Sequence, residues 1–291
     1  MPGKLGPVPP HLIKRFRPDP RVEEIQRLLD GLQLHTVCNS AMCPNRNECF
    51  AKGTATFMIL GDVCTRDCRF CGVPSGEPSP PDPNEPDRIA KAVEMMGLRH
   101  VVITSVTRDD LSDGGAEQFA GTVRAIRARC TEVVVELLVP DFKGQKNPLH
   151  TVLDSGIDIL NHNVETVPRL YPEVRPGADY RTSLEVLRYA GEIGDSILRK
   201  SGMMVGLGET PEEVAEVIED LARIGCRMLT IGQYLRPTPH HVPIAEYVSE
   251  EQFQSYEQIA RLAGFAYVAS GPFVRSSYNA AELYGGANGI E

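Results

Sequence analysis

Apolar positions along the 291 residues recur at two spacings. Near the start, Val22, Ile25, Leu28, Leu29 and Leu32 fall at helical spacing behind Asp19-Pro20, an N-cap with proline in the first turn. From residue 87 onward, helical and strand patterns alternate. Residues 88–96 predict a helix closed by Gly97, and 100–105 a strand. A helix over about 117–129 buries Phe119, Val123 and Ile126. Strands follow at 133–138 and 157–160, a helix at 184–190 and a strand at 198–205. Thr210-Pro211-Glu212-Glu213 spells a capping box, with Val214, Val217, Ile218 and Leu221 as the apolar face behind it and Gly225 as its stop. Residues 228–231 read as a strand. Ser249 to Gln252 caps a last long helix that Gly264 closes.

A further strand at 55–60 brings the count to about six, alternating with helices. Their nearly continuous apolar runs fit a parallel sheet buried on both faces. Such a sheet is a closed or partial (β/α) barrel, or an open doubly wound sheet. No glycine-rich dinucleotide fingerprint follows the first strand, which favours the barrel. Its binding face lies at the C-terminal ends of the strands.

Composition narrows the classes. Hydrophobic residues make up 42% and charged residues 24%, so a wholly disordered chain is excluded. No apolar run approaches the roughly 18 residues of a membrane helix. The first twenty residues hold six prolines and no apolar core, an extended arm rather than a signal peptide. A cytoplasmic protein is therefore expected. The net charge of -9 argues against a general nucleic-acid binder.

Cysteine usage decides the chemistry. Six of the eight cysteines fall between positions 38 and 71. In a reducing compartment, clustered thiols at short spacing hold metal more often than they form disulfides. Cys64, Cys68 and Cys71 form C-x3-C-x2-C directly after a predicted strand. Three thiolates hold three corners of an iron–sulfur cube and leave the fourth iron open, whereas a structural zinc site wants four protein ligands. Cys38, Cys43 and Cys49 form a second triad upstream. A zinc knuckle completed by His35 or a distant residue is one reading of it; a second iron–sulfur cluster with a fourth ligand from elsewhere in the fold is the other. Cys130 and Cys226 read as inert buried thiols. His240-His241 sits among Pro237, Pro239 and Pro243 without a partner motif, which indicates a loop.

The C-x3-C-x2-C loop resembles that of the radical S-adenosylmethionine (SAM) enzymes. Gly202-Met203-Met204-Val205-Gly206-Leu207-Gly208-Glu209 matches that family's G-x-I-x-G-x-x-E pattern with Met for Ile. The family's glycine-glycine-glutamate signature is replaced by Thr104 to Asp110, with Gly114-Gly115 beyond. A closer resemblance, covering about residues 37–278, is to the lipoyl synthase family. It is carried by both triads, Gly53 to Gly61, Val102 to Val106, Arg108 to Leu111, Asn161-His162-Asn163-Val164-Glu165-Thr166, Lys200 to Glu209, and the R-S-S-Y segment Arg275-Ser276-Ser277-Tyr278. Asn279 stands where members often carry His.

The resemblance implies an α/β fold, a partial (β/α)6 TIM-type barrel with N-terminal and C-terminal extensions. Residues 1–54 would hold the arm, a helix and the auxiliary-cluster segment, 55–235 the barrel, and 236–291 the extension with R-S-S-Y. It implies two 4Fe-4S clusters as cofactors. One sits on Cys64, Cys68 and Cys71 with SAM at its open iron; the auxiliary one sits on Cys38, Cys43 and Cys49 with Ser277 as fourth ligand. SAM contacts are expected at Phe70, Thr107, Asn163, Glu165, Lys200, Gly202, Gly206 and Glu209. The implied activity is sulfur insertion at C6 and C8 of a protein-bound octanoyl-lysine, with Ser277 and the Cys64 triad catalytic and the sulfur drawn from the auxiliary cluster. The implied partners are an octanoylated lipoyl-carrier domain (an E2 subunit or glycine-cleavage H protein) and a ferredoxin or flavodoxin donor, with no nucleic acid and no membrane. Lys14, Arg15, Arg17 and Arg275 would form a local basic patch for the acidic carrier. Competing readings are an electron-carrier or zinc module without chemistry, and a radical enzyme of other specificity such as biotin synthase or a methylthiotransferase. The R-S-S-Y segment and the C-x4-C-x5-C triad oppose the last.

Overall fold

The computed structural model describes residues 7–14, 18–52, 54–194, 196–277 and 280. In chain order they form α1 (Pro20–Gly31), β1 (His35–Thr36), α2 (Val37–Ser40), α3 (Arg46–Ala51), β2 (Thr56–Ile59), α4 (Glu85–Met96), β3 (His100–Ser105), α5 (Ala116–Arg129) and β4 (Val134–Leu138). They continue with α6 (Lys146–Leu153), β5 (Ile159–Asn161), α7 (Tyr171–Val174), α8 (Tyr180–Ile193), β6 (Leu198–Val205), α9 (Pro211–Arg223), β7 (Met228–Gln233), α10 (Glu250–Leu262) and β8 (Tyr267–Gly271).

The sheet runs β1 to β8 in sequence order and does not close among the described residues. Strands β2 to β8 are parallel, and β1 pairs antiparallel to β2 at the edge. The expected partial α/β barrel is thus present, with two strands more than the six read from the sequence. The parallel sheet continues past residue 235 into β8.

Local chemistry explains the helices. Asp19 caps α1 by accepting from Arg21 N–H, with Pro20 at its first position. Both bonds of the capping box form at α9: the Thr210 side chain accepts from Glu213 N–H, and the Glu213 carboxylate accepts from Thr210 N–H. Gly97 ends α4 at φ 61, a left-handed stop that glycine adopts without a Cβ penalty. Helix α4 starts three residues earlier than its apolar pattern suggests, because the Glu85 carboxylate accepts from Leu60 N–H at 3.0 Å and fixes its first turn.

Alternation along each strand separates the two faces. Phe57, Ile59, Val101, Ile103, Val135 and Leu137 are fully buried against α4, α5 and α6, while Leu229 and Ile231 pack with α9 and α10. The intervening residues Thr56, Met58, Val102, Thr104, Leu138, Met204, Thr230 and Gly232 face inward and line a central cavity.

Candidate active site

The loop after β2 carries Cys64, Cys68 and Cys71, and backbone bonds close it on itself. Cys64 N–H donates to Pro74 O (2.8 Å), and Gly76 N–H to Cys64 O (2.9 Å). The loop is tied outward as well: Thr65 N–H to Thr107 O, Arg69 N–H to Val174 O, and Val242 N–H to Arg69 O. His241 Nε2 bonds the Cys71 carbonyl at 2.8 Å, so His241 pins this loop. Cys64 Sγ accepts from Arg66 N–H (3.4 Å) and Thr107 N–H (3.3 Å).

Arg66, only 8% exposed, spans two carboxylates. Nε and Nη2 hold Asp109, while Nη1 and Nη2 hold Asp141. Burial pushes the Asp141 carboxyl up, but the Arg66 bonds outweigh it and hold Asp141 down at about 2.

The first triad comes from α2, the turn after it, and α3. Burial, and the mutual repulsion of the thiols, raise Cys38 to about 12 and Cys49 to about 11. The second triad shows the same coupling: burial, then Cys68 and Cys64, push Cys71 to about 12. Buried thiols that disfavour one another's ionisation are poor neighbours unless a cation takes the charge.

Both triads line one cavity of about 560 Å³. So do Ser277, Phe70, Thr107, Asn163 and Glu165. Thr56 donates its hydroxyl to Ser277 Oγ at 2.7 Å, and its backbone N–H and hydroxyl both reach Cys38. Ser277 therefore stands beside the first triad, 228 residues beyond Cys49 in the chain. The preceding Ser276 accepts from Asn163 Nδ2 (2.7 Å), and Asn45, between Cys43 and Cys49, donates to Phe273 O (2.7 Å). Tyr278 lies outside the described residues.

Of the expected SAM contacts, Lys200, Gly202, Gly206 and Glu209 do not line this cavity. Lys200 is fully buried, and its ammonium bonds both oxygens of the equally buried Glu136 at 2.8 and 3.0 Å. Asn161 joins this network, and His100 links it to the cavity wall. Lys200 lies early in β6, away from the C-terminal end where a ligand contact was expected. The Glu209 carboxylate turns back onto Gly206 N–H and Leu207 N–H, closing the loop after β6. Gly202 stands where a Cβ would meet Thr230 Oγ1, Asn163 Oδ1 and Ser276 Oγ within 3 Å, so it gives room to the R-S-S segment. Phe70 both lines the cavity and packs against the apolar cluster of β6 to β8.

Sequence reasoning missed three cavity residues. His162 is 1% exposed; its Nδ1 donates to Val139 O (2.8 Å), and Nε2 is left without a partner among the described residues. Burial and nearby Arg175 lower it to about 4, so it is a neutral acceptor. Arg175 donates to Asn163 O (3.1 Å) and faces Cys68 and Glu165. Beside them Glu165, which was expected here, sits at φ 65 and is raised by burial, with Arg175 and Asn163 pulling the other way. The third missed residue, Thr56, joins the triad to Ser277. Of the expected basic patch, Arg15 and Arg17 lie outside the described residues, Lys14 pairs with Glu48 at 2.6 Å, and Arg275 lines the cavity.

The donor sets suit clusters. Each triad supplies three soft thiols around open space, with N–H donors aimed at Cys64 and Cys38. Among the described residues, no three His, Cys, Asp or Glu side chains converge as a single metal ion requires.

Comparison with known proteins agrees with this geometry. The Radical SAM superfamily profile matches residues 58–221, and the chain belongs to that superfamily. The crystal structure of methylornithine synthase superposes with a TM-score of 0.54 at 15% identity, covering 84% of this chain and 77% of that one, a likeness of fold. Within the superfamily the chain belongs to the lipoyl synthases. It is 56% identical over 259 residues to the lipoyl synthase of Caldanaerobacter subterraneus subsp. tengcongensis, spanning 89% of this chain and 91% of that protein. With the lipoyl synthase of Rubrobacter xylanophilus it shares 55% over 274 residues, 94% and 85% of the two chains.

Proposed function

We propose that this enzyme is a lipoyl synthase of the sulfurtransferase kind, converting a protein-bound octanoyl-lysine into lipoyl-lysine by inserting sulfur at C6 and C8. The observation that carries this reading is the meeting of two cysteine triads and Ser277 in one cavity with apolar walls. Cys64, Cys68 and Cys71 would hold a 4Fe-4S cluster with SAM, and Cys38, Cys43, Cys49 and Ser277 a second. When bound, these groups supply a 5′-deoxyadenosyl radical and the sulfur.

The remaining work falls to the chain's own side chains. Met58, Val102, Leu138 and Met204 offer an apolar surface to the acyl chain and exclude water from it. Thr107 and Arg66 hold the Cys64 sulfur in place through their backbone N–H groups. Asn163, Glu165 and His162 present polar atoms to SAM from the C-terminal end of β5, and Phe70 presents an aromatic face. Gly202, Gly206, Glu209 and Lys200 act behind this wall by setting its shape. Fixed walls matter because a carbon radical must meet sulfur before solvent.

Segments 1–54 and 236–291 contribute the first triad and Ser277, and 55–235 the radical barrel. The carrier is an octanoylated lipoyl domain and the reductant a ferredoxin or flavodoxin. A cytoplasmic setting fits free thiols, and no described helix is long and apolar enough to cross a membrane.

Incubating the anaerobically reconstituted protein with an octanoyl-lysyl peptide, SAM and dithionite tests the reading. Mass analysis should find two sulfur atoms per modified peptide. Cleavage of SAM with no sulfur in any peptide would contradict it.

A further inference from the structure

Thr56 opens β2 and is 5% exposed. Its strand register is fixed by pairing with Val102, so the backbone does not depend on its hydroxyl. The side chain nevertheless faces the cavity, where Oγ1 donates to Ser277 Oγ at 2.7 Å and also lies within reach of Cys38 Sγ. A hydroxyl carries one proton, so it serves one of these two acceptors at a time.

The neighbouring serine is held by a different kind of group. Ser276 Oγ accepts from Asn163 Nδ2, an amide that keeps its proton and has Glu165 as a second partner. The R-S-S segment is thus clamped from the loop after β5 and from β2, firmly at Ser276 and by a divided proton at Ser277.

We propose that Thr56 is a positioning residue for Ser277: its O–H holds Ser277 Oγ as an acceptor facing the first triad, and swings to Cys38 Sγ when Ser277 lets go. This rests on the reading of Ser277 as the fourth ligand of that triad's cluster. A serine oxygen matches a soft metal site less well than a thiolate. One donated hydrogen bond to an anionic oxygen then decides how long it stays, and its loss is worth about tenfold or more in retention.

The test uses the full-length protein, reconstituted anaerobically with iron-57, as wild type, Thr56→Val, Thr56→Ser and Ser277→Ala. Iron lost to a chelator is followed over time, and Mössbauer spectra report the iron with an oxygen ligand. Thr56→Val should shed that iron about tenfold faster than wild type, and Thr56→Ser, which restores the hydroxyl, should return close to the wild-type rate. Equal rates for wild type and Thr56→Val overturn the inference while leaving Ser277 ligation in place. So do equally fast losses from Thr56→Val and Thr56→Ser. A spectrum that Ser277→Ala leaves unchanged removes Ser277 as a ligand and overturns the inference with it.

Discussion

Two buried side chains carry the account at the scale of single residues. Burial pushes Glu136 up, but Lys200 and His100 outweigh it and hold the carboxyl at about 2, below its ordinary 4.5. The stability this contributes is complete above pH 4.5 and is lost as pH falls toward 2. His162 is depressed from 6.5 to about 4, so its contribution is complete above pH 6.5 and is lost as pH falls toward 4. Each shift is on the order of 3 kcal/mol. Denaturant titrations should therefore show stability falling in two steps, 6.5 to 4 and 4.5 to 2, with the first absent in His162→Gln; a flat profile over pH 4–6.5 would contradict the assignment. Lys200→Met leaves Glu136 charged and buried, at a cost of about 3–5 kcal/mol. Thermal unfolding should report that loss, and a Tm within a degree of wild type would dismiss the network's role. His162 also offers Nε2 to the cavity, so replacing it with Phe should weaken SAM binding about tenfold by calorimetry on the reconstituted protein. Unaltered affinity would remove it from the SAM site. The grouping of Cys64, Cys68 and Cys71 on one loop was legible from spacing alone, because the three thiols are close in the chain. The pairing of Lys200 was not legible because its partner Glu136 is 64 residues away and its depth in the barrel has no local signature. Thr56 gave no signal at all, as one threonine at the start of an apolar run.

Elements that follow one clear period were read well. The strand over 100–105 and that over 198–205 match β3 and β6 residue for residue. The capping box at Thr210 forms both of its bonds, and Thr210→Ala should cost about 1 kcal/mol in chemical denaturation while leaving the peptide product unaltered. No loss of stability would mean that packing of α9 alone sets its start. Strand β8 was missed because Tyr267-Val268-Ala269-Ser270-Gly271 has few β-branched positions and runs straight into Pro272. Helix α6 was missed because Pro148 sits near its start, where a proline reads as a break in a chain and is tolerated in a first turn. Strand β7 holds a subtler constraint. A Cβ on Gly232 would strike the Val274 carbonyl, so Gly232→Ala should displace the R-S-S segment and lower iron at the first triad. Full iron content in that variant would show that the segment accommodates the methyl group.

For the molecule as a whole, the unclosed sheet lets two segments far apart in sequence share one interior. The arm and α2–α3 enter from one end of the chain, residues 273–277 return from the other, and Asn45 bonded to Phe273 ties them together. The alternation of strands and helices foretold the barrel, whereas the junction between Cys38 and Ser277 became visible only in three dimensions. The central claim is a division of labour: the triad after β2 activates SAM, and the triad before it serves the sulfur chemistry on the same acyl chain. The most direct test replaces Cys38, Cys43 and Cys49 together by Ser and follows 5′-deoxyadenosine and peptide mass in one anaerobic reaction. The account predicts that SAM is still cleaved and that no sulfur enters the octanoyl peptide. Sulfur insertion that persists in this variant would contradict it, as would SAM cleavage that disappears with a folded protein and an intact centre at Cys64, Cys68 and Cys71.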